Sequence, residues 1–163
     1  MLLSDDEKYM PGPALFYRKD VRDEIKKLRD ITPEKLIRLR DELTAKRISW
    51  YQKMEPELRL DSLDPVENGY RLLLRKLGIN PEEAPVVLKT SDKIVFHSQN
   101  FCPTLEACRI LDLDTRMICK QLNEGPTDAL MKQLNPRLEF SRNYEKLRPY
   151  CEYCEEMIMV REE

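Results

Sequence analysis

Hydrophobic positions change their spacing along this chain, and the changes mark out its elements. Over residues 20–30, Val21, Ile25 and Leu28 recur three and four apart among charged neighbours, which predicts a short amphipathic helix. Thr32-Pro33-Glu34 then reads as a helix start. Thr supplies the capping oxygen, Pro is pre-set for the first turn, and Glu suits the positive end of the dipole. The helix is expected to run to about Met54, with Leu36, Leu39, Leu43, Trp50 and Met54 on one broad face. Asp64-Pro65-Val66-Glu67 is a second start of the same kind, opening a helix through Leu77 that Gly78 stops. Asn80-Pro81-Glu82-Glu83 can cap one further turn before Pro85. Ahead of all these, Pro11-Gly12-Pro13 predicts an irregular lead-in over residues 1–17.

After Pro85 the period shortens. Val86-Val87-Leu88 and Ile94-Val95-Phe96 are β-branched runs separated by the polar Thr90-Ser91-Asp92-Lys93, the pattern of a hairpin. Helical spacing returns over residues 101–122, with a break near Asp112-Leu113-Asp114. Gly125-Pro126-Thr127 is expected to start a separate helix ending before Asn135-Pro136. Residues 137–144 alternate around Leu138 and Phe140, and residues 156–161 form a last strand through Met157, Ile158, Met159 and Val160. The expected fold class is α+β: N-terminal helices followed by a small antiparallel sheet of about four strands, with helices packed on one face. Residues 1–31, 32–84 and 85–163 are the lead-in with its short helix, the helical segment and the cysteine-bearing α+β segment of one domain.

Composition narrows the partners. The chain has 163 residues, enough to bury a core without covalent staples. The formal net charge of −2 argues against non-specific nucleic-acid binding. Residues 18–53 hold twelve basic and seven acidic side chains, a mixed face that suits solvent or a docking partner. No run approaches the length of a membrane span, and the first residues turn acidic at once, unlike a secretory signal. These features give the expectation of a cytoplasmic protein. Five cysteines, an odd number, fit free thiols or metal ligands better than a disulfide frame.

The cysteines carry the candidate chemistry. Cys102, Cys108, Cys119, Cys151 and Cys154 all follow His97, the single histidine. Cys151-Glu152-Tyr153-Cys154 is a CxxC pair of the kind that grips a metal from a tight turn. Cys102 and Cys119 are candidates to complete a zinc or iron–sulfur site with Cys151 and Cys154. His97, Cys102 and Cys119 are candidates to line a small-molecule site. Cys108 and Cys119 also fall near apolar helical positions, where a thiol packs as core. A thiol enzyme would use Cys102 or Cys154 with His97 or Glu155 as base. Of Glu155 and Glu156, strand alternation turns one to solvent. Phosphate loops, HExxH and GxSxG patterns are missing.

The order Phe101-Cys102-Pro103, Ile118-Cys119-Lys120, Asn135-Pro136-Arg137-Leu138-Glu139-Phe140 and Tyr153-Cys154-Glu155 resembles two related groups. These are the L-2-amino-thiazoline-4-carboxylic acid hydrolase-like proteins and the small-molecule-binding domains named after 4-vinyl reductase. The resemblance is confined to the C-terminal half. It implies a compact α+β domain with a pocket between sheet and helices, which in some members takes an aromatic or tetrapyrrole-like ligand beside a zinc. Carried over by position, it makes Cys119, Glu139 and Cys154 the zinc ligands. The further Cys that the pattern has shortly after the glutamate is missing from residues 140–150. The expected function is thus a cytoplasmic small-molecule- or metal-binding protein, sensory or accessory in role. The alternatives are a small hydrolase or thiol enzyme, and an adaptor or homodimer built through the helices.

Overall fold

The computed structural model describes residues 17–60 and 64–162. The expected irregular lead-in lies, apart from Tyr17, outside the described residues. Helix α1 spans Lys19–Leu28 and buries Val21, Ile25 and Leu28. Helix α2 spans Pro33–Met54, and the Thr32 side chain accepts a hydrogen bond from the Lys35 amide at 3.1 Å. Helix α3, Pro65–Leu77, is capped by Asp64 and ends on Gly78 at φ 66°, a left-handed conformation that glycine adopts without steric penalty. A short 3-10 turn, Pro81–Glu83, leads into strands β1 (Val86–Lys89) and β2 (Lys93–Ser98). Helix α4 (Pro103–Leu111) ends at Asp112, and α5 (Thr115–Ile118) follows. Beyond helix α6 (Gly125–Leu134) come strands β3 (Leu138–Arg142) and β4 (Cys154–Val160).

Two details differ from the sequence pattern. No break precedes Gly125: Cys119–Glu124 is a π-helical stretch that joins α5 to α6, and Glu124 and Gly125 both hold helical angles. Pro126 has no N–H to give and its ring crowds the carbonyl four residues back. The wider π turn accommodates that proline inside a continuous helix. In the second half of α2, the buried positions are Arg47 and Tyr51, while Trp50 is only partly covered. Arg47 lies four residues from both Leu43 and Tyr51, so it sits on the apolar stripe.

The four strands form one antiparallel sheet in the order β1-β2-β4-β3. Its inner face carries Ile94, Phe96, Leu138, Phe140 and Ile158, covered by α3 and α6. Gly69 lets α3 approach closely, since a Cβ there would lie 3.3 Å from both Ile158 Cγ2 and Met131 Sδ. Tyr70 stands edge-on to Phe96 and donates its hydroxyl to the Ala84 carbonyl at 2.7 Å. A second cluster joins α1 to α4 and α5 through Ile25, Leu28, Ala107, Cys108 and Ile118. Helix α2 spans both, with Leu36 in the second cluster and Tyr51 in the first. The result is an α+β fold with helices preceding the sheet, and no described helix is long and apolar enough to cross a membrane.

Candidate functional site

Strand parity sorts the candidate residues onto two faces. On β2, Phe96 and Ser98 are buried inward, so His97 points outward. On β4, Glu156 and Ile158 are buried inward, so Cys154 shares their side and Glu155 does not. The register sets Ser98 opposite Cys154 and His97 opposite Glu155.

Inward, three cysteines from three elements lie within electrostatic range of one another. Cys102 precedes α4, Cys119 opens the π-helical stretch, and Cys154 opens β4. Cys102 and Cys119 lie within reach of each other's charge, of Cys154 and of Arg142 at the end of β3. Burial raises the Cys102 thiol, against the opposing pull of the Leu105 amide, Arg148 and Arg142. Burial pushes Cys119 up to about 11, with Arg142 opposing. Cys108 is deeper still, packed in the α1–α4 cluster and pushed up to about 12, chiefly by burial. Cys151 lies earlier on the β3–β4 connection and is not among the groups that act most strongly on these thiols.

Cys102, Cys119 and Cys154 each lie within electrostatic range of Arg142, one half of a buried charge pair. Arg142 Nε lies 3.5 Å from Glu156 Oε1, both on inward positions of neighbouring strands. Burial alone would lower the guanidinium's pKa, but the Glu156 carboxylate leads the neighbouring groups that together raise it. Arg142 Nη1 is buried without a hydrogen-bond partner. Arg47 reaches the same region from α2 and donates to the Thr127 hydroxyl, which itself donates to the Asn123 carbonyl at 2.8 Å. Burial pushes Arg47 down to about 10, and neighbouring Arg142 adds to the effect. From the β3–β4 connection, Arg148 donates its Nε to Cys154 Sγ at 3.3 Å and its Nη1 to the Asn100 carbonyl at 2.6 Å. Thr115 anchors that turn by donating to the Arg148 carbonyl at 3.0 Å. Tyr144, raised chiefly by burial, closes the group beside Glu124 and Cys119.

Outward, His97 Nε2 sits 3.0 Å from Glu155 Oε1, and the ring stacks on Tyr153 with centroids 3.7 Å apart. Asn143 donates to the other Glu155 oxygen at 2.9 Å. Those two hydrogen bonds, Asn143 first, hold the Glu155 carboxyl below its ordinary value. This pair is on the opposite side of the sheet from Cys154, so the structure does not assemble a thiol–base pair from Cys102 or Cys154 with His97 or Glu155.

The expected residues are therefore divided. Cys102, Cys119 and Cys154 influence one another electrostatically, and His97 and Cys151 are not among the groups that act most strongly on them. Of the zinc ligands implied by the resemblance, Cys119 and Cys154 lie inward, but Glu139 is outward and pairs with Arg161 at 3.6 Å. The inward carboxylate is Glu156, already engaged by Arg142. Among the described residues no three His, Cys, Asp or Glu side chains stand in a ready metal-binding arrangement. Sequence reasoning overlooked Arg47, Arg142 and Arg148, and named Glu156 only beside Glu155 without saying which of the two turns inward. The usable signal was charge at inward parity: Arg142 follows Leu138 and Phe140 at steps of two, and Glu156 precedes Ile158.

Comparison with protein-family models, curated proteins and solved structures returns no match, so function is argued from the geometry.

Proposed function

We propose that this chain is a small-molecule-binding protein, accessory or sensory in role, whose ligand contacts Arg142 among Cys102, Cys119 and Cys154. The observation that carries this is the buried Arg142 Nη1 without a hydrogen-bond partner. Leaving such a group unsatisfied costs about 1–3 kcal/mol, or more when charged. An acceptor on a ligand relieves that cost. Arg47, Arg142 and Arg148 stand here against Glu156 and Glu124, an excess of one positive charge that favours an anion, and a carboxylate matches the guanidinium fork. The raised thiols Cys102 and Cys119 stay neutral near pH 7 and present polarisable sulfur, which suits an aromatic ring. The resemblance to 4-vinyl-reductase-type domains, some of which bind aromatic ligands, supports the same class.

The test is ligand-observed NMR with a panel of aromatic monocarboxylates, followed by titration of the hits. The Arg142→Met, Glu156→Leu double variant removes the charge pair without leaving one charge unpaired. Hits are expected to weaken at least tenfold in it. A panel without binders, or binding that survives the double variant, ends the proposal.

A second function has one specific support: three sulfurs from separate elements share one region, with Arg148 N–H groups on Cys154 as around metal thiolates. A zinc ion or iron–sulfur cluster held by Cys102, Cys119 and Cys154 would have to displace protons from raised thiols, so its affinity would climb with pH. Metal analysis of reduced, purified protein separates the two. Near-stoichiometric zinc or iron establishes the metal site, and a trace content removes it.

A further inference from the structure

Two residues at the end of β3 each carry a buried polar atom that the fold does not use. Arg142 Nη1 and the Tyr144 hydroxyl are both shielded from solvent, and both lack a hydrogen-bond partner. The chain alternates between them. Arg142 points inward to Glu156, Asn143 points outward to Glu155, and Tyr144 returns inward. Tyr144 as a whole is only half-buried, so its ring runs in from the surface and its tip is the covered end.

The contacts that hold Tyr144 leave its hydroxyl alone. The Tyr144 carbonyl accepts from Arg116 Nε at 3.0 Å, and Lys120 Nζ sits 5.7 Å from the ring centroid. Glu124 is a competing acceptor. Its Oε1 takes the Arg142 amide at 3.3 Å, and no hydrogen bond of ordinary geometry joins it to the Tyr144 hydroxyl. Burial chiefly raises that hydroxyl's pKa, with Arg142 opposing and Glu124 adding, so the group keeps its proton and can donate. Two uncommitted donors therefore stand on inward positions two residues apart. They lie within electrostatic range of each other, and Cys119 is in range of both. A carboxylate brings two acceptor oxygens, one for each donor.

We propose that Tyr144 is a second anchor for the ligand, whose carboxylate accepts from Arg142 Nη1 through one oxygen and from the Tyr144 hydroxyl through the other. The anchor rests on the ligand reading of the Arg142 site, and adds the residue that orients the carboxylate there. In the empty protein the hydroxyl is a buried polar group without compensation, which costs stability.

Tyr144→Phe tests this in two ways, because it removes the hydroxyl and keeps the ring. In the ligand-free protein the urea midpoint is expected to stay level or rise, since the lost group had no partner. A lower midpoint shows that the fold, or a bound water, already satisfies the hydroxyl, and overturns the proposal. For binding, benzoate, phenylacetate and cinnamate are titrated by ligand-observed NMR into the wild type, Tyr144→Phe and the Arg142→Met, Glu156→Leu double variant. Acids that bind the wild type are expected to weaken about tenfold in Tyr144→Phe, the loss of one hydrogen bond to a charged group. Binding that is lost in the double variant but unchanged in Tyr144→Phe overturns the second anchor and leaves the Arg142 site standing. No binding to the wild type, or binding that survives the double variant, removes both.

Discussion

Arg142 and Glu156 face each other on inward positions of β3 and β4, 3.5 Å apart, with side chains 12% and 9% exposed. Two opposite charges placed this way fix the register of the last two strands across the long connection of residues 143–153. They also set the field in which three thiols sit. Removing one partner leaves a buried charge unpaired, whereas replacing both with apolar groups removes the desolvation penalty as well.

Glu156→Gln should therefore lower the unfolding free energy by about 3–5 kcal/mol. The double variant Arg142→Met, Glu156→Leu should recover most of that loss. Urea denaturation of the three proteins measures both. Equal loss in the single and double variants would show that the pair is not the source of the effect.

This pair also shows how much could be read from the residues alone. Caps and periods are local, and they were legible: Thr32, Asp64 and Gly78 bound their helices as the sequence pattern predicts. The chemistry-bearing thiols stood out by residue type. Arg142 did not, and Glu156 was named only together with Glu155, because a charge on a strand is usually solvated and only pairing places it inside. Which face Glu139 and His97 occupy likewise depends on a register of period two, where a shift by one residue reverses every side chain. The unbroken helix through Pro126 escaped notice for a different reason. Gly-Pro-Thr is a good helix start, and only packing against α2 and β3 shows that the π turn carries the chain through it.

Close approach of α3 to the sheet rests on Gly69. A Cβ there would press on Ile158 and Met131, both at 3.3 Å. A larger, branched side chain cannot be absorbed by small shifts in a packed core. Gly69→Val should destabilise by about 1–3 kcal/mol, read as a lower urea midpoint with the slope unchanged. A midpoint equal to the wild type would mean that α3 can move away from β4 at little cost.

Asp64 ties the start of α3 to β1. Its side chain accepts from the Val66 amide at 3.2 Å and pairs with Lys89. The Lys89 hydrogen bond chiefly holds its carboxyl below the ordinary 3.8, against the effect of burial. A depressed carboxylate contributes stability that is present above its ordinary value and lost as pH falls through the folded one. Asp64→Ala should lower stability by about 1 kcal/mol at neutral pH, and the gap to wild type should close as pH drops below 4. A gap that persists unchanged at pH 3 would place its origin outside the carboxylate's charge.

The thiols give the last test, and it bears on the candidate site directly. Cys119 is pushed up to about 11 and Cys108 to about 12, in both cases chiefly by burial. In the unfolded chain both ionise near 9.0. Each unit of elevation cuts the thiolate fraction tenfold below that range. Iodoacetamide at pH 8 should therefore modify Cys119 about 100-fold more slowly in the folded protein than in urea, and Cys108 more slowly again. Peptide mass spectrometry of timed samples reads each site. The same elevation fixes a sign for stability. Between pH 9 and about 11 the unfolded chain loses its thiol protons while folded Cys119 keeps its own. The unfolded state then binds fewer protons, so these thiols make stability fall as pH rises through that window. If Cys119 instead labels at its unfolded rate, it is open to solvent, and a neutral sulfur lining beside Arg142 is no longer tenable.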